Sequence, residues 1–199
     1  MSTFYLTQLT LDPYAKEVRR ALEDRYALHR IAYSLKGDGR KGRLLWRLEP
    51  LRGKKRPVML VQTPFPPELG HFLAQGWGDA RVNRIQLELV PGVYAFRLEA
   101  NAVRRREQKA RPLLDPDEQV QWLGEKLAPL ELPEVIPTRS VAHVVRKPGG
   151  ETYTLHAVLF EGRLLVPENG VGEAAAMVLE GVGRGRSMGL GLLSLKRAR

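Results

Sequence analysis

The sequence predicts an α+β chain of two ferredoxin-like (RRM-like) domains in tandem, each a βαββαβ unit with an antiparallel sheet. Three observations carry this. The element order β-α-β-β-α-β is written twice along the chain. An Asp-Pro pair, Asp12-Pro13 and then Asp115-Pro116, stands where each half passes into its first helix. The length, 199 residues, suits two domains of about 100 residues each. The boundary falls at Pro91-Gly92, giving 1–91 and 92–199.

In the first half, Phe4 to Leu11 is β-rich and partly alternating, so it reads as a strand. Asp12 caps a helix with Pro13 in its first turn, and helical sequence runs from Tyr14 towards Leu35. Val18, Leu22, Tyr26, His29 and Tyr33 lie on one side of it. Asp24 caps a second stretch, so a break is expected near Glu23-Asp24. Lys36 to Arg43, with three glycines and four basic residues, is a loop. Strands follow at 44–48 and 57–62, joined by the basic turn Arg52 to Arg56. A short helix is expected within 66–77, and a strand at 84–89.

The second half repeats the order. Val93 to Ala100 is a strand, followed by the run Arg104-Arg105-Arg106. Asp115 caps a helix through Val120, Trp122, Leu123 and Leu127. Strands around 140–146 and 153–166 flank the turn Lys147-Pro148-Gly149-Gly150. Glu173 to Leu179 is helical, and Gly189 to Lys196 closes as a strand.

Composition narrows the function. Hydrophobic residues make up 43%, enough for packed cores. No stretch reaches the roughly 18 apolar residues of a membrane span, and the N-terminus lacks the pattern of a signal peptide. Cysteine is absent, which removes disulfides, thiolate metal sites and cysteine nucleophiles. A cytoplasmic protein without membrane contact is expected. Lys and Arg number 32 against 22 acidic residues, a net charge of +10, and 23 of the 32 are Arg. Arg binds phosphate bidentately and stacks on bases, so this balance favours a nucleic acid as partner, although a general bias towards Arg codons gives the same count.

Motifs exclude more than they name. The four histidines are scattered, with no metal-ligand spacing, and no phosphate-binding Walker motif is present. No metal and no cofactor are expected. The run Gly181 to Gly191 holds five glycines and two arginines, more than a tight turn needs, and favours a phosphate-contacting loop at Gly183, Arg184, Gly185 and Arg186. Tyr26 and His29 share a helix face, beside Arg25 and Arg30. His29 reads either as a buried structural histidine or as a proton-transfer group near phosphates. Arg146-Lys147 with Arg139 reads equally as a surface turn or as a basic hairpin that enters a nucleic-acid groove.

Four segments together resemble the CasE-type CRISPR endoribonucleases of the RAMP superfamily: Tyr26-Ala27-Leu28-His29-Arg30, Leu44 to Pro50, Ala157 to Leu164, and Gly181 to Leu193. They span nearly the whole chain. The resemblance implies a tandem ferredoxin-like fold and metal-independent cleavage of a CRISPR repeat RNA hairpin at the 3′ base of its stem. The attacking group would be the neighbouring ribose 2′-OH. It implies that His29 carries proton transfer, that Tyr26 assists, and that Arg30 and Lys36 stabilise charge on the phosphate. RNA contacts are expected from Arg25, Arg104, Arg105, Arg106, Arg139, Arg146, Lys147 and the 183–186 loop. It further implies that the protein is monomeric when isolated, keeps the mature guide RNA and joins the other subunits of a Cascade complex. A non-catalytic subunit that only holds the guide RNA is the main alternative. A general two-domain RNA-binding protein is a third reading, for which the sheets offer few aromatic candidates for base stacking.

Overall fold

The computed structural model describes residues 2–51, 53, 55–106 and 109–198, the side chains of 105, 106 and 109 excepted. Arg52 of the predicted basic turn lies outside these residues. The chain divides into two compact units. The first comprises 1–87, 144–153 and 187–189; the second comprises 88–143, 154–186 and 190–199.

In the first unit, strands β1 (Ser2–Leu11), β2 (Leu45–Leu48), β3 (Val58–Thr63) and β4 (Gly78–Leu87) form one sheet in the order β2-β3-β1-β4. All its pairings are antiparallel, with Leu9 opposite Met59 and Ala80 in the central strand. That is the strand order of a ferredoxin-like βαββαβ unit. Helices α1 (Lys16–Glu23), α2 (Arg25–Tyr33) and α3 (Gly70–Ala74) supply the rest. Alternation in β1 sends Leu9 and Leu11 into a core with Val18, Leu28, Ile31, Leu35, Trp46, Met59 and Phe72.

The expected break in the first helix is present, and Asp24 makes it. Its side chain accepts the Tyr26 N–H at 2.9 Å, capping α2. The expectation for Asp12-Pro13 needs correction. Asp12 donates its N–H to the Trp77 carbonyl and accepts the Tyr14 N–H, which holds the chain in a turn against the sheet. The helix begins three residues later, at Lys16, with no side-chain cap.

In the second unit, β5 (Gly92–Asn101), β8 (Glu131–Arg146), β9 (Thr152–Val166) and β10 (Ser194–Arg197) are ordered β10-β5-β9-β8, the same topology again. Helices α4 (Pro116–Leu127) and α5 (Val171–Glu180) complete it. Asp115 caps α4 as expected, accepting the N–H groups of Asp117 and Glu118, with Pro116 opening the helix. Two features differ from the sequence expectation. The Arg104–Arg106 run, given no element from the sequence, lies in a strand: β6 (Val103–Arg106) pairs with β7 (Lys109–Pro112) as an inserted hairpin. The last strand is shorter than 189–196 because Gly189 and Gly191 adopt φ of 80° and 83°, which no strand accommodates.

Candidate active site

The site residues of the first unit begin on α2. Spacing of three and four residues puts Tyr26, His29 and Tyr33 on one face, while Leu28, Ile31 and Ala32 are buried in the core. The His29 ring lies 5.7 Å from that of Tyr26 and 4.0 Å from that of Tyr33. It is half-buried, and its burial lowers the pKa, a shift partly offset by a hydrogen bond to Ser187. Neutral imidazole is therefore the favoured form near neutral pH.

The partner of that bond fixes the chemistry. His29 Nδ1 is 2.8 Å from the Ser187 carbonyl oxygen. A carbonyl only accepts, so Nδ1 carries the proton and Nε2 holds the lone pair. The same carbonyl accepts the indole N–H of the fully buried Trp46 at 2.9 Å. Arg25 holds the next two carbonyls, donating to Met188 at 3.2 Å and Gly189 at 3.3 Å, and its guanidinium sits 5.7 Å from the Trp46 ring centre. Gly189 makes this packing possible: a Cβ there would stand 2.5 Å from the Trp46 ring. Segment 187–189 is thus a strap clamped by Arg25 and Trp46, and it orients His29.

This geometry corrects the expectation for Arg25. The side chain is buried at 6% exposure and its guanidinium is committed to backbone carbonyls, so it positions the strap and does not face a ligand. Arg30 is exposed on the adjacent face of α2, where it lines a cavity. Lys36 follows the helix end, its N–H donated to the Tyr33 carbonyl, and its side chain is half-buried. The hairpin tip 144–153 belongs to the same unit. There Lys147 pairs with Glu151 at 2.9 Å and lies 5.3 Å from the Tyr153 ring centre. The hydrogen bond to Glu151 is the main cause of its raised pKa. Arg146 is exposed beside it.

The remaining expected RNA contacts lie in the second unit. Arg104 pairs with Glu125 at 2.6 Å, and Arg139 with the buried Glu99 at 3.2 Å. Arg105 and Arg106 have their backbones in β6, and their side chains lie outside the described residues. Gly183 and the exposed Arg184 line a cavity of about 240 Å³ with Trp122 and Lys126. Gly185 accepts the Leu190 N–H through its carbonyl. Arg186 instead donates to the Glu180 and Gly181 carbonyls, closing the C-terminus of α5. Among the described residues, no three of His, Cys, Asp and Glu gather as metal ligands. Among them, too, no helix is long and apolar enough to cross a membrane.

Sequence reasoning missed Trp46 and Ser187 as parts of the site. Trp46 reads as core, and Ser187 contributes only a backbone carbonyl, which leaves no trace in residue type.

Comparison with known proteins bears on this site. A family described as "CRISPR associated protein" matches residues 4–197. A curated relative, the CRISPR-associated endoribonuclease Cse3 of Thermus thermophilus, is 37% identical over 213 residues, covering 96% of this chain and 99% of the relative. The solved structure of Thermus thermophilus Cse3 bound to an RNA representing a pre-cleavage complex superposes with a TM-score of 0.88 at 36% identity, covering 98% of this chain and 99% of that one. A chain of a CRISPR RNA-guided surveillance complex shares the fold, with a TM-score of 0.67 at 24% identity over 98% of this chain and all of that one.

Proposed function

This chain belongs to the CRISPR-associated protein family, and from that premise we propose that it is an endoribonuclease acting on CRISPR precursor RNA. In this reading it binds the hairpin of the repeat and cuts at the 3′ base of the stem, without a metal. The 2′-oxygen beside the cut forms a bond to phosphorus as the bond from phosphorus to the 5′-oxygen breaks. A 2′,3′-cyclic phosphate and a 5′-hydroxyl result. One proton leaves the 2′-oxygen and one is gained by the 5′-oxygen; His29 carries this proton transfer.

The observation that supports the reading is the His29–Ser187 hydrogen bond. It fixes the tautomer that presents the Nε2 lone pair from a half-exposed ring, the form a general base needs. Tyr26, one turn earlier, is within reach to hydrogen-bond the reacting phosphate, while Arg30 and Lys36 supply positive charge to a developing dianion. The tip at Arg146 and Lys147 holds the stem, since an extended hairpin reaches the deep, narrow groove of A-form RNA where single side chains do not. Retention of the hairpin product in a Cascade-type complex, in the cytoplasm, completes the proposal.

The test is incubation with repeat RNA in EDTA followed by end-group analysis. The expected outcome is a cyclic or 3′ phosphate end from the wild type, and no product from His29→Ala, whose hairpin affinity stays within a few fold. Cleavage by His29→Ala at the wild-type rate overturns the mechanism. Tight binding without cleavage by the wild type establishes the non-catalytic alternative.

A further inference from the structure

Arg30 is separated from His29 by about 100° around α2, and it opens onto a cavity of about 300 Å³ within the first unit. Glu17 and Arg20 of α1, Arg30 and Ser34 of α2, and His71 and Trp77 around α3 line it. Arg20 and Arg30 are exposed and neither makes an ion pair among the described residues. Arg40, Arg56 and Arg104 of this chain do have carboxylate partners. His71 and Trp77 meet edge to face, ring centres 5.2 Å apart at 82°, and Phe72 abuts Trp77 at 6.1 Å and 77°. The Trp77 backbone is tied at both ends, to Phe72 and to Asp12. Ser34 donates its hydroxyl proton to the Ile31 carbonyl at 2.7 Å, so its oxygen faces any ligand as an acceptor.

Two guanidinium groups that make no ion pair among the described residues, beside a rigid aromatic corner, match one nucleotide. The phosphate takes the guanidinium forks and the base lies against an aromatic face. Glu17 and the Ser34 oxygen add acceptors for the amino groups of a base. We propose that this cavity is the subsite for the RNA strand that continues 3′ of the scissile phosphate. The proposal rests on the endoribonuclease reading above. In that reading the stem, 5′ of the cut, is held by the tip at Arg146 and Lys147, and no residue of that tip lines the cavity. The strand left to pass Arg30, next to His29, and enter the cavity is the one that continues 3′. Holding the strand through the phosphate that follows its first nucleotide fixes the leaving 5′-oxygen for in-line displacement.

The test compares two RNAs, a repeat hairpin ending one nucleotide past the cut and one continuing four nucleotides past it. Single-turnover cleavage and affinity are both measured. The wild type cuts the longer RNA about tenfold faster, the effect of one or two charge-assisted phosphate contacts. Arg20→Ala abolishes that advantage and keeps its affinity for a hairpin ending at the cut within twofold. Arg19→Ala, exposed on the same helix but outside the cavity, retains the advantage. Equal rates of the wild type on both RNAs, equal slowing of both by Arg20→Ala, or loss of the advantage in Arg19→Ala overturns the subsite. If Arg20→Ala leaves the length dependence intact but weakens assembly with other proteins, the cavity is a protein contact and the proposal fails. If the wild type cuts neither RNA, the endoribonuclease reading fails by itself. Affinity then decides the subsite: Arg20→Ala weakening only the longer RNA supports it, and no selective weakening overturns it.

Discussion

His29 combines an ordinary position on an amphipathic helix with an uncommon partner. Burial holds its pKa below the usual histidine value. As the base, it is competent once deprotonated, so the single-turnover cleavage rate rises with pH to a plateau, with its midpoint below that of a free histidine. A midpoint at or above the ordinary value contradicts this assignment. The linkage to stability has the same sign. Between the folded pKa and the unfolded one, the unfolded chain binds more protons, so stability falls as pH drops through that window. Replacing His29 with Ala removes that part of the pH dependence of unfolding. The residue scale also marks how far the sequence was legible. The Tyr26–His29 pair stands out by spacing, because side chains three apart share a helix face. The tautomer does not, because a backbone carbonyl sets it. Arg25 was misplaced for a related reason: charge suggests solvent, and only the packing against Trp46 and the 188 and 189 carbonyls shows why this guanidinium is buried.

At the scale of elements, the strap 187–189, held in place by Trp46 and Arg25, orients His29 through a backbone carbonyl. Gly189→Ala places a methyl group against the Trp46 ring and strains a backbone at φ 80°. It should cost about 1–3 kcal/mol, lowering Tm by about 2–4 °C for each kcal/mol. Cleavage should fall by more than the lost folded fraction explains, because His29 loses its orientation. A drop in Tm with unchanged single-turnover rate separates the strap from catalysis. Most elements were legible from period and caps, Asp24 and Asp115 above all. The long β8 was foreseen only from 140 onward, since Pro133 and Pro137 argue against a strand. They are tolerated because β8 lies at the sheet edge, where a missing N–H breaks no ladder on the open side. The glycine run looked like a phosphate loop because its count exceeded a simple turn's needs. Packing supplies a further reason for glycine: a Cβ at Gly191 would strike the Val182 carbonyl.

For the whole molecule, the net charge of +10 separates into committed and uncommitted cations. Arg47, Arg56, Arg97 and Arg104 are paired with carboxylates; among the described residues, Arg20, Arg30 and Arg146 make no such pair. The paired ones contribute little to a polyanion's pull. Arg146→Ala should weaken hairpin binding and reduce the slope of log affinity against log salt by about 1, as loss of one phosphate contact does. An unchanged slope places Arg146 off the RNA. The two repeats of the fold were readable from element order, whereas the grouping of 144–153 and 187–189 with the first 87 residues was not, since it depends on long-range packing. That grouping has a consequence in time. Ribosomes deliver the chain from its N-terminus, and His29 emerges 158 residues ahead of the carbonyl that sets its tautomer. Until Ser187 has been synthesised the nascent protein holds an imidazole with no assigned proton, and its base is armed only once that segment has been made.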